Sequence, residues 1–172
     1  MDIRVVIEDI ASQHVDAVVV NLFEGVSSPG GATGAVDGVL GGAITQLIAD
    51  GDIKGKLGEF TMIHSFGKLP SKRVVVAGLG KATEFNQDKV RRVAAETARY
   101  LRSRGCQRAA TIVHGAGIGG LDPSLAAQAL AEGTLMGLYA FRRHKAKKKD
   151  DDPDMHELLV VEFEARKAQA LD

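Results

Sequence analysis

Charge of one sign is what this sequence most plainly lacks: Lys and Arg number 22, Asp and Glu also 22, and the formal net charge is zero. A surface built as a whole to grip nucleic acid or an anionic membrane is thereby excluded, a local patch excepted. Cysteine is almost missing as well. The lone Cys106 has no intrachain partner, so the chain is not a disulfide scaffold, and a reducing compartment is its natural setting. No apolar run approaches the ~20 residues needed to span a bilayer. The opening MDIRVVIEDI mixes acidic with apolar residues and lacks the basic start and apolar core of a secretory signal. The expectation is a soluble, cytoplasmic protein with no membrane partner. With 172 residues, 45% of them hydrophobic and 26% charged, neither disorder nor collagen fits. The length predicts one domain able to bury a core without staples.

Glycine, by contrast, is plentiful: 20 in 172 residues, against the ~7% of an average protein. The glycines cluster, at 30, 31, 34, 38, 41 and 42 and again at 115, 117, 119 and 120. Such clusters mark tight turns or a backbone that something approaches closely.

Strand and helix patterns alternate. Residues 3–7, 16–22 (DAVVVNL), 60–65, 73–77 (RVVVA), 108–113 and 157–163 (ELLVVEF) read as strands. Val36, Leu40, Ile44, Leu47 and Ile48 recur at helical spacing and predict one helix ended by Asp50-Gly51. A second helix is predicted over residues 86–104, burying Val90, Val93, Ala94, Thr97, Ala98 and Leu101, with Gly105 past its C-terminus. A third opens at Asp122-Pro123, with Asp as N-cap and Pro at the first helical position, and runs to about Phe141. Leu125, Ala129, Leu130, Leu135 and Leu138 are expected on its inner side. The alternation predicts an α/β sandwich with helices on both faces of a mixed, mostly parallel sheet. Residues 1–141 form the main body, 142–156 a charged connector, and 157–172 the last strand and tail of the same domain.

Two loops stand out as possible sites. GVSSPGGATGAVDGVLGGAI follows the strand at 16–22, and VHGAGIGGLDPS follows the strand at 108–113. A strand that ends in glycines and leads into a helix offers bare N–H groups to an anion. Neither loop carries GxGxxG directly after its strand or GxxxxGK[ST], so turn-shaping and phosphate binding both remain readings of these glycines. At the C-terminal ends of parallel strands the two loops face one edge of the sheet, where open α/β folds bind ligands.

The five histidines, at 14, 64, 114, 144 and 156, form no ligand grammar, and no metal site is expected. His114 is the one beside a glycine loop, and its expected role is a polar loop residue bonded to backbone. Cys106 is expected buried and inert. Residues 142–149 hold six Lys or Arg, but the acidic run at 150–152 follows at once, so a solvated connector is favoured over a nucleic-acid patch.

Taken together, VDAVVVNLFEG, the long stretch GAVDGVLGGAITQLIADGDIKGKLGEFTMIHSFGKLPSKRVVVAGLGKATEFNQDKVRRVAAETARYLRSRG and GLYAFRRHKAKKKDDDPDMHELLVVEF resemble the N-terminal domain of the leucyl aminopeptidases, the cytosol aminopeptidase family. GKLGEFTMIHSFGKLPSKRVVVAGLGK is the most specific part. The resemblance implies a three-layer, macro-domain-like α/β/α domain attached to a separate catalytic domain. That second domain would carry two divalent metals, Zn or Mn, and remove N-terminal residues from peptides through a metal-activated water. The family's catalytic signature NTDAEGRL is absent here, so no catalytic residue and no cofactor are expected in this chain. The implied partners are the catalytic domain of the same polypeptide and further copies in a homo-oligomer, typically a hexamer.

The same stretches also resemble a divergent macro domain, the module that binds ADP-ribose. That resemblance implies Asp9, in Glu8-Asp9-Ile10, as the holder of adenine, and Gly34 and Gly38, in GAVDGVLGGAI, near the distal ribose. Gly117, Ile118, Gly119 and Gly120 would form the phosphate loop. Of the Asn-Ala-Ala-Asn run expected after the strand, Asn21 remains.

Overall fold

The computed structural model describes residues 1–116, 120–139 and 154–163. Six strands form one sheet in the order β1-β6-β5-β2-β4-β3: β1 (Asp2–Ile7), β2 (Ala17–Phe23), β3 (Phe60–His64), β4 (Arg73–Gly80), β5 (Arg108–Thr111) and β6 (Glu157–Glu162). All neighbours pair in parallel except β3, which runs antiparallel to β4 at one edge. β2 and β4 are buried on both faces, which is why they read as unbroken apolar runs.

Side-chain alternation divides the core in two. Ala17 and Val19 of β2, with Val75 and Ala77 of β4, pack under α3 (Gln87–Ser103) and α4 (Pro123–Leu138). Val18 and Val20, with Val74 and Val76, pack under α1 (Gly31–Leu40) and α2 (Ala43–Ala49) on the opposite face. The molecule is therefore a three-layer α/β/α sandwich. No single helix among the described residues is long and apolar enough to cross a membrane.

The single helix expected across Val36 to Ile48 is two. Gly41 and Gly42 both adopt left-handed backbone, at φ 75° and 82°, and the chain turns by 103° between α1 and α2. The apolar residues still share the core because the bend folds both helices onto one face of the sheet. Buried Asp37 fixes the corner: its carboxylate accepts the backbone N–H of Ile44 at 2.7 Å and the Thr45 hydroxyl at 2.5 Å, capping α2.

α3 buries the six residues its periodicity predicts, is capped by Asn86 accepting from the Lys89 N–H at 3.0 Å, and is followed by left-handed Gly105. α4 starts as expected, with Asp122 as cap and Pro123 next, and ends at Leu138. Its inner side differs from the expectation. Leu125 and Leu135 are 47% and 51% exposed, and the buried strip runs through Ala126, Ala129, Leu130, Gly133 and Gly137. The two glycines set this rotation: a Cβ at 133 would fall on the Arg91 carbonyl and one at 137 on the Ala95 carbonyl, so α4 presses its bare backbone against α3.

The glycines of GKLGEF and GLG serve a similar close approach. Gly80 N–H donates to the Gly55 carbonyl and Gly78 N–H to that of Glu59, both at 2.8 Å, strapping this segment across the end of β4. A Cβ at Gly78 would collide with the Lys56 carbonyl. Of the connector expected at 142–156, residues 142–153 lie outside the described residues, while Met155 is buried and the His156 N–H donates to the Gln107 carbonyl at 2.7 Å.

Candidate functional site

β2 and β5 lie side by side, with Ala17 opposite Ala109, so their C-terminal ends and the glycine loops beyond them meet at one edge of the sheet. A groove runs along that edge in two lobes. The larger, about 420 Å³, lies between Glu8, Asp9 and Ile10 after β1, the first turn of α1, and Val161 to Phe163 at the end of β6. The smaller, about 210 Å³, reaches Asn21, Phe23, Val26 and Pro29. Gly31, Ala32, Ile112, Val113 and Ala116 belong to both, so the lobes are continuous. The larger lobe alone is within the ~300–1,000 Å³ of small-molecule sites.

Asp9 stands at one end. Its Oδ1 accepts the Ala11 N–H at 2.8 Å and caps a short 3-10 turn, Ile10–Ser12, which directs the chain from β1 along the groove. Asn21 stands at the other end. Its backbone carbonyl accepts the Thr33 hydroxyl at 2.7 Å, tying the start of α1 to β2, and its Nδ2 lies 3.2 Å from His114 Nδ1. The amide donates there, so Oδ1 and the second amide N–H are what Asn21 has left to offer a ligand.

His114 is fully enclosed, at 1% exposure, and burial holds its pKa down at about 4. Its expected bond to backbone is instead a bond to the Asn21 side chain. A neutral, enclosed imidazole with Nδ1 occupied is suited to positioning Asn21 and unsuited to exchanging protons with a solvent-borne substrate.

The start of α1 lies between the lobes. Its N-cap is Gly30, which brings no side chain, and its first turn holds no acid. Gly34 and Gly38 sit deeper in the helix and line neither lobe. Gly34 is used for packing, since a Cβ there would come within 2.6 Å of the Pro29 carbonyl oxygen, while Gly38 is exposed with open space around it. Gly120 is exposed and left-handed, beside the bridge that joins Ala116 to Leu121. Gly117, Ile118 and Gly119 lie outside the described residues.

Sequence reasoning did not single out the groove walls Ile112 and Phe163, and it reached Ala32, Val113 and Ala116 only as members of the two glycine loops. Small and aliphatic residues carry no chemical signature, and the only available signal was their place just after strands. Cys106 is buried, its Sγ lies 3.1 Å from Arg73 Nη1, and burial pushes its thiol pKa up. Among the described residues no group of three or more His, Cys, Asp or Glu is arranged to hold a metal ion. The arrangement is that of a binding groove: a carboxylate at one end, backbone N–H groups midway, an amide oxygen at the other end, and an aliphatic floor.

The fold is shared with solved structures. A Trypanosoma brucei macrodomain in complex with ADP-ribose superposes with a TM-score of 0.74 at 18% identity, covering 98% of this chain and 67% of that one. A tomato leucine aminopeptidase mutant gives a TM-score of 0.74 at 15% identity, covering 99% of this chain and 34% of that one. In sequence, the chain is 32% identical over 152 residues to a probable cytosol aminopeptidase of Alkaliphilus metalliredigens, covering 88% of this chain and 30% of that protein. It is 32% identical over 167 residues to one of Alkaliphilus oremlandii, covering 95% and 33%. The chain thus spans about a third of the length of these curated relatives. The sequence profile described as the cytosol aminopeptidase family, N-terminal domain, matches residues 19–148. On that match the chain belongs to the cytosol aminopeptidase family, as its N-terminal domain.

Proposed function

We propose that this chain is the non-catalytic N-terminal domain of a leucyl aminopeptidase, a metal-dependent cytoplasmic enzyme that removes N-terminal residues from peptides. Its partners in this reading are the catalytic domain of the same polypeptide and further copies of the enzyme in a homo-oligomer. Its work is to support that assembly and to shape access to the active sites. The observation that carries the reading is the match of residues 19–148 to the family's N-terminal domain, in relatives about three times as long that bear the aminopeptidase name. The two divalent metals, Zn or Mn, are assigned to the catalytic part, because the described residues of this chain do not fit a metal site. An assay of the purified chain on Leu-p-nitroanilide with Mn or Zn tests the reading. No turnover is expected, and metal-dependent turnover by this chain alone would overturn it.

A second reading rests on the groove. Asp9 at one end of a continuous cleft and Asn21 at the other, on a macrodomain fold, support binding of ADP-ribose or a related nucleotide. Calorimetric titration with ADP-ribose decides it: saturable heat is expected, and no heat at high micromolar ligand removes it.

A further inference from the structure

Below the groove, between the sheet and the α3/α4 layer, lies a void of about 10 Å³. Every residue around it is buried. Most of its wall is aliphatic, but four polar side chains from four different places reach it: Thr97 from α3, Thr134 from α4, Thr111 from β5 and His114 from the loop that follows. Thr97 Oγ1 is buried and has no hydrogen-bond partner among the described residues. A hydroxyl stranded in this way is destabilising.

His114 brings a second polar group to the void. Its Nδ1 accepts from Asn21, so the neutral ring carries its proton on Nε2, on the other side of the imidazole. A buried N–H requires an acceptor. A stranded hydroxyl and an imidazole N–H therefore border a space whose volume is close to the ~10–15 Å³ that a single water occupies.

We propose that this void is a binding site for one water molecule, which accepts from His114 Nε2 and bonds the Thr97 hydroxyl, with Thr111 and Thr134 completing its polar surroundings. The water joins α3 to the loop after β5. It also fixes the tautomer of His114, and through His114 the orientation of the Asn21 amide. It is thus a positioning element for one end of the groove, whatever ligand the groove takes.

The test is made on the full chain by NMR, reading water-to-protein cross-relaxation at the Thr97 methyl and the His114 ring, together with thermal melts of variants. Long-lived water signals are expected at both groups in the parent, and at the His114 ring in Thr97→Ser, which keeps the hydroxyl and loses the methyl. Thr97→Val keeps the shape and removes the hydroxyl. Its Tm is expected to fall by roughly 2–4 °C, the equivalent of one hydrogen bond in a protein of this size. In a dry void the same substitution would remove a stranded hydroxyl and leave Tm unchanged or raised. Either that result or missing water signals in the parent overturns the proposal.

Discussion

The Asn21 side-chain amide donates to Nδ1 of His114 across 3.2 Å, joining the end of β2 to the loop after β5 through two residues 93 positions apart. The bond requires a neutral ring, and burial supplies one by holding the His114 pKa at about 4, against 6.5 for a free imidazole.

That depression makes stability depend on pH with a definite sign. Between pH 6.5 and 4 the unfolded chain binds a proton that the folded chain refuses, so stability falls as pH falls through this window. The contribution of His114 is fully present above pH 6.5 and amounts to roughly 3 kcal/mol by the linkage relation. Urea unfolding at pH 7 and pH 4 measures it. His114→Gln, which cannot titrate, is expected to lose markedly less stability between the two pH values than the parent.

Gly133 and Gly137 face the backbone of α3 with no room for a methyl group. Alanine at either position is expected to push α4 outward and to cost about 1–3 kcal/mol. Gly38 offers the contrast: it lies inside α1 with open space around it, and Gly38→Ala is expected to stabilise by about 0.5–1 kcal/mol. Urea midpoints of the three variants check both signs.

Removing the Asp37 carboxylate strands the Ile44 and Thr45 donors at a buried corner. Asp37→Ala is expected to cost about 2–3 kcal/mol, and Asp37→Asn less, since its amide oxygen still accepts. Chemical unfolding of both variants separates loss of the cap from loss of the charge alone.

Cys106 is enclosed, with its thiol pKa raised by burial. The native chain is expected to react with a thiol reagent only through unfolding, so its rate should follow denaturant concentration. Rapid labelling in buffer would contradict the burial.

All six strands were legible because β-branched apolar runs, bounded by Gly, Asp and Lys, fit nothing else of that length. α3 was legible down to its buried residues because a long helix with a charged outer side repeats its pattern several times. The break between α1 and α2 escaped because the apolar spacing continues across it, and only the Gly41-Gly42 pair marks the bend. The rotation of α4 escaped for a different reason. Hydrophobicity points Leu125 and Leu135 inward, whereas close packing favours the smallest residues, and Gly133 and Gly137 allowed a closer approach. At the groove, the two loops were found but their cooperation was not: no spacing rule connects Asn21 to His114, because only the pairing of β2 with β5 brings them together.

The sheet order has a consequence for how the molecule comes into being. Of the six described strands β1 comes first in chain order, yet its sheet partner is β6, the last of the six, with Asp2 opposite Glu157 and Ile7 opposite Glu162. During translation β1 must therefore wait, unpaired, while some 150 residues emerge. The groove's acidic end waits with it, since Glu8 and Asp9 hang directly from β1. A nascent chain stopped short of Glu157 can assemble the β5-β2-β4-β3 half of the sheet and bring Asn21 beside His114, but half of the groove would have no wall. Whatever the groove receives, it can receive only from a chain that has been made past its sixth strand.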